Sequence, residues 1–437
     1  MKKSLLLFIL VLPSLQALSQ DANSKGDIVK KGISFGPLPV VAFDQDKGFQ
    51  YGGLLNLFDF GDGSHYPHPK QQWYFEASAY TKGTSQFFVT YDTKHLIPNI
   101  RMSVATTLVF DKAMDFYGFN GYQALFDPDQ LSAFYRLDRK TFTAKADFVG
   151  NIWEKRLFWQ AGYYFSWNKY GTVDLDRINK GKEENEKFTG ETLYDKYVRW
   201  GIIPDAEKNG GNISALRLGI MYDTRDFEAA PSRGIWAEAN MTMAPKFLGT
   251  SNPFFRYMAT FRHYIPLAKD DLVFAYRLNY QGSVGSLPFY VMPVFSTIGK
   301  EYDRDGTGGY RTVRGIMRCR VQGLDVAFFN AELRWKFTRF HVAKQNVALG
   351  FNAFTDGAMV TRDYDVSYKL IPTSSLGLDP TYNQNLDPSL SDSFHVAAGA
   401  GFRIIINQNF IIAVDYAKAF DKRDGKGGLY INTGYLF

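Results

Sequence analysis

Residues 325–337 read Asp325-Val326-Ala327-Phe328-Phe329-Asn330-Ala331-Glu332-Leu333-Arg334-Trp335-Lys336-Phe337. Ala327, Phe329, Ala331, Leu333, Trp335 and Phe337 share one side of a two-residue period; Asn330, Glu332, Arg334 and Lys336 share the other. That is the pattern of a β-strand with one apolar and one polar face. It recurs in Asn409–Ala419, where Phe410, Ile412, Val414 and Tyr416 oppose Ala413, Asp415 and Ala417. Phe254–Tyr264 repeats it with Arg256, Thr260 and Arg262 on the polar side. A water-soluble sandwich alternates in the same way. Here the apolar faces are long and aromatic-tipped, and the runs approach the ten or so residues that cross a bilayer at a tilt. Backbone groups in hydrocarbon must all be paired, so such strands have to close into a barrel.

Working outward from this stretch, the pattern predicts sixteen strands. The first eight are Ile33–Phe43, Gly48–Phe60, Gln71–Tyr80, Ser85–Lys94, Asn99–Phe110, Arg136–Val149, Leu157–Asn168 and Ile213–Asp223. The others are Gly234–Met243, Phe254–Tyr264, Asp271–Gln281, Asp325–Phe337, Val347–Thr355, Ser393–Ile406, Asn409–Ala419 and Gly428–Phe437. Connection lengths test the count independently. The long ones, near 111–135, 169–212, 283–324 and 356–392, all follow odd-numbered strands, while even-numbered strands are followed by short turns such as 96–98 and 407–408. Short periplasmic turns and long surface loops are the arrangement of a bacterial outer-membrane barrel. The expected fold is therefore all-β, a 16-stranded antiparallel transmembrane barrel with long extracellular loops. Within the second long loop, Leu193, Tyr194, Tyr197 and Val198 sit at helical spacing ahead of Gly201 and Pro204. A short helix is expected over Thr189–Gly201, packed as a lid over the barrel mouth.

The N-terminus agrees with export. Met1-Lys2-Lys3 precedes an apolar run, Leu5 to Leu12, and Ala17-Leu18-Ser19 supplies a small-residue cleavage pattern. Residues 1–19 read as a signal peptide, 20–32 as a short periplasmic lead and 33–437 as the barrel. The formal charge of +6 includes two lysines of the signal, and no basic cluster is interleaved with stacking aromatics, so nucleic acid is not an expected partner. Cys319 is the single cysteine, which excludes an intrachain disulfide. His65 and His68 lie in a proline-containing turn, and His95, His263, His341 and His395 are scattered with no serine beside them. No catalytic residue, metal site or cofactor is expected.

The interval 283–324 carries Arg311, Arg314, Arg318 and Arg320 in ten residues, too apolar around them for a solvent tail. Its segment Val313-Arg314-Gly315 resembles the core of the Val-Arg-Gly-Tyr/Phe motif of the BamA/TamA superfamily, the bacterial surface-antigen family of outer-membrane assembly barrels; Ile316 stands at the aromatic position. Phe354-Thr355-Asp356-Gly357 is similar to the family's Phe-x-Asp-x-Gly signature, with glycine directly after Asp356. Tyr222-Asp223-Thr224-Arg225-Asp226 with Pro231-Ser232-Arg233-Gly234 resembles a third family segment, read here as turn chemistry. The ending places Leu429, Ile431, Tyr435 and Phe437 on one face, and its aromatic carboxy-terminus resembles the C-terminal signal by which such barrels are recognised for insertion. These matches span Ile213 to Phe437; the first half shares only the strand pattern.

The resemblance implies that the 283–324 loop folds back into the lumen and that Arg314 binds Asp356 there. Alternation turns Asp356 and Glu332 inward, so both can share the guanidinium, whose fork lysine does not reproduce. It further implies outer-membrane lipids, client outer-membrane or secreted proteins, and periplasmic partners. Periplasmic polypeptide-transport-associated (POTRA) domains precede the barrel in family members with assembly roles, and the 20–32 lead is too short for one. The expected function is insertion or translocation of protein or lipid at the outer membrane of a Gram-negative bacterium. The alternatives are a passive channel or structural barrel and, more distantly, an outer-membrane hydrolase.

One further expectation concerns the seam. Pro37 and Pro39 lie in the first strand and Gly434 in the last; each proline lacks the amide hydrogen a ladder needs. The prolines can face the second strand, face the sixteenth, or lie below the membrane. The seam is expected to be short and weak.

Overall fold

The computed structural model describes residues 31–64, 69–228, 230–295, 297–298, 304–342, 345–369, 379, 381–406 and 410–437. The signal segment 1–19, all but the end of the 20–32 lead, and His65 and His68 lie outside the described residues. The strands begin with β1 (Ile33–Asp44), β2 (Gly48–Asp59), β3 (Gln71–Tyr80), β4 (Thr84–Ile97), β5 (Ile100–Asp115) and β6 (Arg136–Trp153). They continue with β7 (Leu157–Thr172), β8 (Gly210–Asp223), β9 (Gly234–Ala244), β10 (Phe254–Ala268) and β11 (Leu272–Gly285). Two short strands, β12 (Val294–Phe295) and β13 (Arg304–Asp305), form a separate hairpin inside the long loop that follows β11. The chain ends with β14 (Asp325–Val342), β15 (Gln345–Arg362), β16 (His395–Ile406), β17 (Phe410–Ala419) and β18 (Gly428–Thr433). All but β12 and β13 form one closed antiparallel barrel of sixteen strands, each paired with its sequence neighbour and β18 returning to β1.

The period-two pattern fixes which side chains face which solvent. On β14 and β15, Leu333, Trp335 and Phe351 are 41–51% exposed toward the lipid side, while Asn330, Glu332, Asn352 and Asp356 are fully buried in the lumen. A one-residue slip would exchange these two sets, which is why the register is so firmly specified. The strands differ from the sequence reading mainly at their ends. β5 and β7 run several residues further toward the long loops, and β6 runs several further toward its short turn, where the alternation gives way to mixed sequence. β18 stops at Thr433 rather than reaching Phe437, because Gly434 adopts a left-handed φ of +87° that an extended strand cannot accommodate.

The long connections, 116–135, 173–209, 286–324 and 363–394, all leave the same end of the barrel. Peptide tags at Lys182 and Ser389 should therefore both label on intact cells; labelling at one alone would break the strand parity. These loops share an aromatic cluster at that mouth, including Phe116, Phe119, Tyr197, Trp200, Phe289 and Tyr382. α1 (Leu175–Asn179) and α2 (Leu193–Arg199) lie in the second loop and α3 (Tyr382–Asn385) in the last. Thr192 and Asp195 form a capping box at the start of α2, satisfying its first amides. Leu193, Tyr194 and Tyr197 are buried in the cluster, so α2 is a lid packed over the barrel mouth.

Asp379 joins the lid to the last loop. It accepts a hydrogen bond from Trp200 Nε1 at 2.8 Å and from the Thr381 amide at 2.9 Å, and pairs with Arg199. Desolvation pushes its carboxyl up, yet these donors outweigh that and hold it below the usual carboxylate range. A depressed acid contributes stability that persists above its unfolded pKa and is lost as pH falls through the folded value. Hydrogen-exchange protection around Trp200 should survive at about pH 5 and fall only well below about pH 4. Loss of protection already at the higher pH would contradict this role.

Candidate functional site

The loop after β11 does not stay outside: its 306–318 segment descends into the lumen as a tight hairpin. Gly309 N donates to Ile316 O at 2.8 Å, and the Thr312 hydroxyl accepts from Gly308 N at 3.0 Å, stiffening the tip without a regular strand. Val313 and Ile316 are buried against Phe328, Ala358, Val360 and Ala397 on the barrel wall. Small residues make the docking possible. A Cβ on Gly315 would stand 2.9 Å from Ala417 Cβ and 3.0 Å from Ala397 Cβ, and its φ of +87° disfavours any other residue. Ile316, at the position where the resembling motif has an aromatic ring, is buried in this cluster.

Between Val313 and Gly315, Arg314 is completely buried. Its Nε donates to Asp356 Oδ2 at 2.8 Å, its Nη2 to Asp356 Oδ1 at 3.1 Å, and its own amide to Asp356 Oδ2 at 3.0 Å. Nη2 also lies 2.6 Å from Glu332 Oε1, and Nη1 donates to Asp415 Oδ2 at 3.2 Å. The guanidinium sits 3.4 Å above the Phe354 ring. Three strands, β14, β15 and β17, thus each supply one carboxylate to a single cation. Two further buried arginines balance the charge: Arg403 forks onto Asp415 at 2.7 and 2.9 Å, and Arg334 donates to Glu332 Oε2 at 2.7 Å. Desolvation works against the Arg314 cation, but Asp356, Glu332 and Asp415 outweigh it and keep it protonated.

Arg314, Glu332, Phe354 and Asp356 are brought together here. Gly357 is not among them; it lies on the outer face under the Phe329 ring. Asp415, Arg403 and Tyr430, whose hydroxyl accepts from the Gly315 amide at 3.1 Å, were not singled out from the sequence. The signal for Asp415 existed, since alternation in β17 places it opposite the lipid-facing Tyr416. Two other arginines of the loop tie it to its surroundings: Arg318 meets Asp111 on β5 at 2.9 Å, and Arg320 donates to the Gly121 and Ala124 carbonyls of the loop after β5. The Tyr222–Gly234 segment is a turn, with Asp223 paired to Arg225 at 2.6 Å and Arg225 stacked 3.8 Å over Trp236.

The aromatic ending corrects one expectation. Tyr435 and Phe437 do not share the lipid face of Leu429; beyond the Gly434 turn they enter the lumen, where Arg334 stacks 4.2 Å from Tyr435 and donates to the Phe437 main-chain oxygen at 2.8 Å. Gly434 correspondingly lies past the last strand and not inside it.

The same turn shortens the seam. β1 pairs with β2 at every position from Ile33 to Asp44, but with β18 only at Phe43↔Ile431 and Asp44↔Tyr430. Three hydrogen bonds decide which way the prolines face. Phe60 N donates to Gly32 O, whereas Asp59 O and Phe49 O accept from Lys70 and Thr81 on the β3 side. With Ile33↔Asp59 and Phe43↔Phe49 in register, even-numbered β1 residues bond β2 and odd-numbered ones point at the seam. Pro37 and Pro39, both odd, therefore lack their amide hydrogens on the seam edge. Ile33 and Phe35, 70% and 67% exposed, mark the uncovered stretch.

A closed sixteen-stranded barrel, lipid-facing on its outside and plugged by a surface loop pinned to a buried carboxylate cluster, defines an integral outer-membrane β-barrel. More particularly, the chain belongs to the Omp85 superfamily, whose domain matches residues 114–437. Among solved structures it is similar to BamA from Haemophilus ducreyi lacking POTRA domains 1–3, with 15% identity and a TM-score of 0.55 over 93% of this chain and 70% of that one. It is likewise similar to CdiB from Escherichia coli, with 11% identity and a TM-score of 0.55 over 93% of this chain and 63% of that one, so it spans less than two thirds of CdiB. No curated protein matches the sequence.

Proposed function

We propose that this barrel, exported by its N-terminal signal, inserts or translocates amphipathic cargo, protein or lipid, at the outer membrane by opening its wall between β1 and β18. One observation carries the reading: a twelve-residue strand closes the barrel through two residue pairs, with prolines facing the gap. In a membrane each unpaired backbone group is costly, so a fold retains such a seam at the expense of stability. The aromatic cap over the extracellular mouth and the clamped loop in the lumen favour exit through the wall over passage along the barrel axis. A passive channel is the rival reading. Depleting the protein and comparing outer-membrane proteome and lipid composition tests between them. Altered composition supports transport through the wall; unchanged composition, with steady conductance of the purified barrel in planar bilayers, overturns it. Client proteins and periplasmic partners belong to this reading.

A further inference from the structure

We propose that the C-terminal tripeptide Tyr435-Leu436-Phe437 couples the seam to the lumen loop, so that outward movement of β18 loosens the Arg314 clamp. This deepens the transport reading above and rests on it. β18 is one lip of the seam, paired with β1 at two positions and with β17 from Gly428 to Thr433. Past Thr433 the chain follows neither neighbour. The left-handed turn at Gly434 sends it across the lumen, and Leu436 and Phe437 are buried against Tyr264, Val273 and Ala275 on β10 and β11. The lip is thus strapped to a distant part of the wall.

The strap meets the clamp on its way. Glu332 divides its carboxylate between two arginines: Oε1 lies 2.6 Å from Arg314 Nη2, and Oε2 accepts from Arg334 Nε at 2.7 Å. Arg334 in turn donates through Nη2 to the Phe437 main-chain oxygen at 2.8 Å and stacks 4.2 Å over the Tyr435 ring. A second route runs through Arg277, which donates to the Thr312 carbonyl at 3.2 Å and faces the Phe437 ring at 5.1 Å. A third is direct: Tyr430, in the pair Asp44↔Tyr430 that closes the seam, accepts from the Gly315 amide at 3.1 Å. Each route begins on β18 or its tail and ends on the 306–318 hairpin. Withdrawing the tail uncovers Arg334 and Glu332 to water, which raises the local dielectric and weakens the pull of Glu332 on Arg314. Such coupling is reciprocal, so a loosened clamp also frees the tail.

Gly434 gives the handle for a test. A Cβ there meets nothing within 4 Å, so Gly434→Ala adds no clash, while the φ of +87° strains alanine and favours the withdrawn tail. In the purified full-length barrel in nanodiscs, carboxypeptidase A, which removes an accessible terminal aromatic residue, reports the tail. Hydrogen exchange of the 306–318 amides reports the hairpin, with the β5–β6 ladder as control. Gly434→Ala should release Phe437 several-fold faster and raise hairpin exchange several-fold, with the control unchanged. Phe437→Ala, which removes the ring and keeps the turn, should raise hairpin exchange in the same direction. Unchanged hairpin exchange in both variants, or an equal rise in the control, overturns the coupling and leaves opening of the wall standing. The link to the seam has its own readout: oxidising a Phe43→Cys, Ile431→Cys pair should slow the release of Phe437 several-fold. Release at the reduced rate would overturn that link, whereas normal growth and membrane composition of oxidised cells would overturn the wall reading itself.

Discussion

Replacing Arg314 with alanine is expected to destabilise the barrel by about 3–5 kcal/mol, where breaking an exposed ion pair costs about 1 kcal/mol or less. The difference lies in what remains. Asp356 loses two hydrogen bonds and keeps only the one from the residue-314 amide, and Glu332 and Asp415 lose a neighbouring cation, all with no water to replace it. Lysine should recover little: a single ammonium cannot reach carboxylates arranged around a planar fork on three strands. Asp356→Asn should cost nearly as much as the arginine change. The double substitution should cost well below their sum, since the two residues belong to one network. Urea unfolding in detergent, followed by the gel shift between folded and unfolded barrel, measures all four. A loss below about 1 kcal/mol for Arg314→Ala would mean that the loop holds without its clamp.

A disulfide between cysteines placed at Phe43 and Ile431 is expected to abolish function completely and reversibly. These residues are a directly opposed pair whose β1 member bonds across the seam, so their Cα atoms stand about 5.5 Å apart, inside disulfide range. Cys319 is fully buried in the lumen loop and does not compete. Oxidised cells should reproduce the depletion phenotype, and a reductant should restore the wild-type state; that reversal separates a locked wall from a misfolded barrel. Unimpaired growth and membrane composition in the oxidised form would remove opening between β1 and β18 from the mechanism.

Much of this was readable from residues alone because the bilayer imposes a simple code. Alternation in Asp325–Phe337 and its counterparts located all sixteen strands, and loop parity oriented them. The inward side of that alternation also placed Glu332 and Asp356 where the arginine loop could meet them. What it could not supply was coincidence in depth. Asp415 faces inward as plainly as Asp356, but only the stagger of β17 against β15 puts it at the level of Arg314. The end of the chain failed for another reason. Tyr435 and Phe437 keep the period of β18, and one left-handed glycine removes them from its face. The edge to which Pro37 and Pro39 point depends on hydrogen-bond parity set by the turns beside β2, which no property of the prolines reveals.

The spacing of the clamp along the chain makes it a matter of time as well as energy. Arg314 joins Asp356 across 42 positions and Asp415 across 101, so it can form only after β14 to β17 have assembled. An interaction that forms after the folding transition state slows unfolding without hastening folding. A barrel closed by two residue pairs thus owes its lifetime less to the strength of its rim than to an arginine set in place last, inside.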